Sequence, residues 1–307
     1  MTRFPRTTAL LLTALALGAV APATACAQRD RVTRVDSTFA FNKGGWVDVE
    51  LVSGDIIVTG WTRPEARVVA RLDRDGYLET TLTPDRIYIH TRSRDRRLGS
   101  GHYEITVPLG ARVQATTISG RIRIRATAGE VQAGSTSGSV EVLDAADRIE
   151  IRTVSGDVHA EKLNGRTRIR TTSGDLDISD ITGELSVHTV SSDIKLRNVK
   201  SSQVSAGTTS GEITYTGTIE SSGNYEFTTH SGEVRVDIPS NAGATLELQT
   251  WSGDISSRFP MTMQPGERSR RGKQFDFTIG SGGAHIVVQT FSGDITIERS
   301  SRSNREN

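Results

Sequence analysis

Apolar and polar residues alternate through most of the chain, and the alternation recurs with a fixed period. Three residues after Ser119 stands Ile122, and eighteen-residue steps from it reach Val140, Val158, Leu176 and Ile194. Two residues further along lie Ile124, Val142, Ala160, Ile178 and Leu196. The second half of each unit supplies Val131, Ile149, Thr167 and Leu185, then Ala133, Ile151, Ile169 and Val187. Arg123, Glu141, His159, Asp177 and Lys195 stand between the apolar positions. A period of two with β-branched side chains predicts strands that bury one face. Helix is excluded, because the period is wrong and Gly recurs every half unit.

The punctuation between strands is itself repeated. Ser-Gly-Asp or a close variant begins at Ser53, Ser119, Ser137, Ser155, Ser173, Ser191, Ser210, Ser231, Ser252 and Ser292. The spacing is 18 from Ser119 to Ser191, then 19, 21, 21 and finally 40. A second turn is marked by Gly129, Gly165 and Gly183, where positive φ favours glycine. Self-similarity at such a period is the signature of a stacked-repeat architecture. One repeat buries too little to fold alone, so neighbours must cover each other's open faces. The expectation is an all-β chain: a parallel β-solenoid of about 18-residue repeats, two short strands per repeat, with strands about 4.8 Å apart.

The repeat organises the chain into segments. Residues 101–298 read as the solenoid domain. Residues 31–100 are β-rich but irregular in spacing, and read as an N-terminal β cap or first irregular repeats. Residues 299–307 form a polar tail. Within the 40-residue gap, "GERSRRGK" is a basic loop. Residues 1–27 have the layout of a secretory signal peptide: Arg3 and Arg6, an apolar run from Ala9 to Ala21, then small residues. Cleavage is open between a lipoprotein junction that lipidates Cys26 and an ordinary A-x-A site before Gln28.

Composition removes several function classes. Cys26 is the only cysteine, so the remainder has no internal disulfide. Without residues 1–26 the chain carries 35 basic and 36 acidic residues, which gives no reason to expect nucleic acid as a partner. Any membrane association is expected only through a lipid on Cys26. His90, His102, His159, His188, His230 and His285 show no paired metal spacing, and no nucleophile elbow occurs. No catalytic, cofactor-binding or metal residue is assigned. The acidic column Asp157, Asp175, Asp193, Glu212, Glu233, Asp254 and Asp294 is expected to bond its own turn backbones.

The repeated "TxSGD" unit and the ending "GSGGAHIVVQTFSGDITIE" (Gly280 to Glu298) resemble the bacterial "putative adhesin" family of unknown-function domains, the toast-rack solenoids. The resemblance covers roughly residues 35–298. It implies an exported, non-enzymatic module at the periplasm, outer envelope or cell surface, with an adhesin-like binding or structural role. Two other readings stay open. One is a carbohydrate-active enzyme on a solenoid scaffold, the other a polymerising envelope scaffold. The partner is unassigned, with an envelope glycan or another envelope protein as candidates. The residue before each Ser-Gly turn forms a further column, Ile118, Thr136, Val154, Thr172, Val190, Thr209, His230, Trp251 and Phe291. Its large members are expected to turn inward and close the core's end. The alternative is an exposed contact ridge made by His230, Trp251 and Phe291.

Overall fold

A computed structural model describes residues 33–73, 76–92, 100–259 and 273–300. The segment expected to be a signal peptide, with Cys26, most of the basic loop and residues 301–307 lie outside them. The described chain is all strand and turn. In order it forms β1 (Arg34–Ala40), β2 (Trp46–Trp61), β3 (Glu65–Leu72), β4 (Tyr77–Leu82), β5 (Arg86–Arg92), β6 (Ser100–Pro108) and β7 (Arg112–Thr127). There follow β8 (Val131–Ser135), β9 (Val140–Thr153), β10 (Val158–Arg170), β11 (Leu176–His188), β12 (Ile194–Ser210) and β13 (Ile213–Gly217). The last are β14 (Asn224–Ser231), β15 (Val234–Pro239), β16 (Ala244–Ser252), β17 (Ile255–Ser257), β18 (Lys273–Ile279), β19 (Ala284–Ser292) and β20 (Ile295–Ser300).

The strands stack in parallel at a step of one repeat. Val158 pairs with Val140 and Leu176, and Ile169 pairs with Ile151 and Val187. Segments that follow a Ser-Gly turn make a front sheet and those that precede it make a back sheet. In β9 to β12 the two expected short strands join into one element, because the second bend keeps the ladder bonded. That bend uses two positive-φ positions on the rungs of β9, β10 and β11 and one on that of β12. One is Gly165 or Gly183, with Asp147 in the same place one rung earlier. The other is Asp144, Lys162, Asp180 and Asn198, all between φ 51 and 55. Asp and Asn tolerate this conformation better than most residues. Asn198 adds a side-chain bond to Asp180 on the rung below.

Stack order departs from sequence order at both ends. The β2 rung pairs with β5 and β6 on one side and with β7 on the other. The β19–β20 rung, last in sequence, lies between β14–β15 and β16–β17. The irregular N-terminal segment thus supplies full rungs as well as covering strands. β1 and β3 run antiparallel on the front sheet, β4 on the back sheet, and β18 covers β16 at the other end. The parallel stack thus ends in antiparallel strands.

The core is a set of apolar ladders between the sheets. Ile149, Ile151, Ile169, Val187, Ile122, Val158 and Ile194 are all buried. Where the repeat lengthens beyond 18 the register shifts, between Thr182 and Glu184 and again between Arg197 and Val199. Tyr215 and Tyr225 fill the wider corner with rings 6.0 Å apart. Their hydroxyls bond the carbonyls of Thr218 at 2.9 Å and Ser201 at 2.7 Å, as buried tyrosines require. Burial pushes both phenols up.

Candidate functional surface

The Ser-Gly turns form one long edge. An added Cβ at Gly138 would fall 1.8 Å from the carbonyl oxygen of Gly120, and one at Gly253 would fall 2.1 Å from that of Gly293. At these glycines the backbones approach too closely for a side chain on that side. Ser192, which breaks the glycine column, is buried and accepts a bond from the Thr189 hydroxyl at 2.9 Å. Ser100-Gly101-His102 pairs in register with Ser53-Gly54-Asp55. It is a turn of the same column that the irregular spacing hid.

The acids after the glycines do not close their own turns, as the sequence suggested. Asp157 accepts the N–H of Asp175 at 3.0 Å, Asp193 that of Glu212 at 2.8 Å, and Asp294 that of Asp254 at 2.8 Å. Each carboxylate bonds the next rung, because stacked parallel turns bring that donor within reach. Behind them runs a buried hydroxyl column that sequence reading missed, although Thr, or Ser at Ser135, two residues before every turn Ser from Ser119 onward signals it. Thr208, Thr229, Thr290 and Thr250 donate to the carbonyls of Ser192, Gly211, Gly232 and Gly293. The hydroxyls of Thr117, Ser135 and Thr153 have no partner.

The pre-turn column points outward along its length, against the expectation that its rings turn inward. Trp251 is 50% exposed and Phe291 49%; Ile118, Val154 and Val190 are exposed as well. Because β19 lies between β14 and β16, Phe291 sits between His230 and Trp251. Its ring stacks on His230 at 4.8 Å and on Trp251 at 5.9 Å, nearly parallel to both. Residues Ile118 to Trp251 thus form one exposed ridge, in which Ile118, Val154 and Val190 alternate with threonines and the far end is His230, Phe291 and Trp251. The sequence held that column but not its stacking order or its direction.

Polar groups on the front sheet are tied between rungs. A shallow groove of about 570 Å³ includes Glu141, Asp157, His159, Asp175, Asp177 and Lys195. Glu141 accepts from Arg123 at 2.6 Å and Arg125 at 2.8 Å. Burial pushes the Glu141 carboxyl up, yet the two guanidinium groups outweigh it and hold it below the usual range. Arg197 holds Asp177. On the N-terminal rungs His90 lies between Asp48 at 3.1 Å and Glu50 at 2.8 Å and stacks on Tyr88. The sequence left these three apart, since β5 and β2 are joined only by the interleaved stack. Among the described residues no group of His, Cys, Asp and Glu could hold a metal ion.

The Toastrack DUF4097 family model matches residues 45–179 and 102–298. No curated protein matches the chain. Among solved structures, the chain is similar to a "putative cell adhesion protein" from Clostridium sporogenes. Identity is 9% and the TM-score 0.19, covering 87% of this chain and 100% of that one. It is also similar to a "putative adhesin" from Bacteroides fragilis. Identity there is 10% and the TM-score 0.35, covering 86% of this chain and 96% of that one.

Proposed function

Because the chain belongs to the Toastrack DUF4097 family, we propose that it is an exported envelope or cell-surface module with an adhesin-like role, holding a partner along its length without turning over a substrate. The observation that carries this reading is the exposed ridge from Ile118 to Trp251. Leaving large apolar side chains in water forfeits their burial energy, and the stacked Phe291 and Trp251 make a contiguous exposed apolar patch of the kind that marks interaction sites. Phe291 has one face on His230 and the other on Trp251, so it offers an edge. A partner lying along the ridge, either an envelope glycan or another envelope protein, suits this shape better than a single stacked sugar. The ion pairs that hold Glu141 and Asp177 argue in the same direction. A general acid needs its pKa raised toward neutrality, and Glu141 is moved the other way.

The test is Trp251→Ala in the full chain, read by attachment to isolated envelope material and by thermal stability. The expected outcome is weaker attachment with a stability loss near 1 kcal/mol, the scale of one aromatic stacking contact. A loss of about 3–5 kcal/mol, as for a buried aromatic, with attachment intact would overturn the ridge. Palmitate labelling with and without Cys26→Ser separates a lipid-anchored form from a freely released one. Uncleaved chain retained in the cytoplasm under native expression would defeat export.

A further inference from the structure

The back sheet carries a second surface that the ridge does not use. On β9 its outward residues are Arg148, Glu150 and Arg152, stacked in register on Arg166, Arg168 and Arg170 of β10. The five arginines are exposed, in two rows about 4.8 Å apart. Two have partners: Arg152 pairs with Glu150 at 2.5 Å and Arg166 with Glu184 at 2.7 Å. Arg148, Arg168 and Arg170 form no ion pair among the described residues. Like charges at this spacing repel, so the grid carries a surplus that an anion relieves. On the next rung, His188 registers it. Burial lowers its basicity first, and the Arg170 and Arg168 charges push the same way against Glu226.

Beside the grid runs a gutter parallel to the solenoid axis, about 420 Å³ in volume. Arg152 and Arg170 form one bank, and Thr136, Val154 and Thr172 of the ridge column form the other. Gly134 is part of its floor, and a Cβ there would meet nothing nearer than Thr116 at 3.8 Å. The outward neighbours include Gln114, Gln132, Ser186 and Ser205, amides and hydroxyls that suit sugar hydroxyl groups. Among the described residues, no Phe, Tyr or Trp faces outward on the back-sheet part of β7 to β12, so nucleobases have no stacking platform there.

We propose that this grid and gutter bind a linear polysaccharide bearing carboxylates on its sugar units, laid along the solenoid axis. Guanidinium forks take planar carboxylates in a bidentate geometry. The flanking amides and hydroxyls, with no outward aromatic ring on this part of the sheet, suit a sugar polymer better than a nucleic acid strand. The gutter shares Thr136, Val154 and Thr172 with the ridge, but the arginines are not ridge residues and His230, Phe291 and Trp251 do not line the gutter, so variants at the two places test the two readings separately.

The experiment is affinity electrophoresis of the full-length mature protein against polygalacturonate, neutral dextran, dextran sulfate and single-stranded DNA. Polygalacturonate should retard the native protein most, and less as salt rises. Arg168→Glu with Arg170→Glu should weaken that binding about tenfold. Gly134→Glu, which adds a carboxylate to the gutter where there is room for it, should weaken it similarly with an unchanged melting midpoint. Trp251→Ala should bind polygalacturonate as the native protein does. The proposal is overturned if polygalacturonate does not bind, or if dextran, dextran sulfate or DNA binds equally well. Full binding by Gly134→Glu also overturns it, and this variant carries the test if the double arginine variant fails to fold.

Discussion

Gly138→Ala probes the turn column at its tightest point. The added Cβ would lie 1.8 Å from the Gly120 carbonyl oxygen and 2.7 Å from its nitrogen. An ordinary carbon-to-oxygen contact is about 3.3 Å or more, so the two rungs must part by roughly 1.5 Å at this edge. That movement pulls on the bond from Ser137 N–H to the Ile118 carbonyl, now 2.7 Å, and on that from Ile122 N–H to the Ser139 carbonyl, now 3.0 Å. Overpacking of this kind costs about 1–3 kcal/mol, and each weakened backbone bond up to about 1 kcal/mol. The expected loss is therefore about 3–5 kcal/mol. Gly138 is not among the positive-φ glycines, so alanine's own backbone preference adds nothing and the penalty is steric. Gly134→Ala is the matched control, because its Cβ meets nothing nearer than 3.8 Å. It should stay within about 0.5 kcal/mol of the native protein or gain slightly from a stiffer unfolded chain. Urea titration at constant m-value reads both variants, and amide exchange on the two rungs shows whether the stack opens locally. A Gly138→Ala midpoint indistinguishable from that of Gly134→Ala would refute the argument that stacked turns exclude a side chain.

Other perturbations test other parts of the structure. Ile169 is fully buried between Ile151 and Val187; Ile169→Asp buries an unpaired charge at a cost of several kcal/mol and should abolish cooperative unfolding, which native circular dichroism with an unchanged midpoint would contradict. The hydroxyl column should split in sign. Thr250→Val leaves the Gly293 carbonyl without its 3.0 Å bond and should lose about 1 kcal/mol, whereas Thr153→Val removes a hydroxyl that has no partner and should be neutral or stabilising; equal losses in denaturation would argue against the column. Because Glu141 is held below the usual carboxylate range, its contribution is present above its unfolded-state pKa and lost as pH falls through the folded one. Glu141→Gln should flatten the acid limb of melting temperature against pH, and an acid limb identical to that of the native protein would show that the Arg123 and Arg125 contacts contribute no stability.

The ladders were legible because a strand's side-chain period and the rung step are both fixed by the backbone. Ile122, Val140 and Val158 had to share a face, and steps of 18 had to stack them. Stack order at the ends was not legible, since equivalent turns look alike and local periodicity cannot say that Ser53 lies between Ser100 and Ser119. The answer depends on how the excursion through β3 to β6 returns. Trp251 and Phe291 were expected inside because large rings usually close a core, but the pre-turn position points outward on every rung and carries them with it. The arginine grid had a readable signal. Arg148 and Arg152 lie one repeat before Arg166 and Arg170, and residues two apart on a strand share a face. The second bend was half seen. Glycines mark one of its left-handed positions, while the other is held by Asp144, Asp180 and Asn198, types that suit it, and by Lys162, which gives no such sign.

The interleaved C-terminal rung sets a timetable for the chain's maturation. As synthesis proceeds, rungs up to Ile238 can dock in the order in which they are made. The next segment, Ala244–Ser257, then meets the exposed edge of β14 and β15, the berth that β19 and β20 hold in the finished stack. The two claimants are near copies, with "QTWSGDI" in one and "QTFSGDI" in the other. The early arrival must therefore stay undocked, or dock and be displaced, until β19 and β20 are available. The finished end is a checkpoint on length. A chain that stops short of residue 284 loses a keystone from within the stack, and its outermost rung is left holding its neighbour's place.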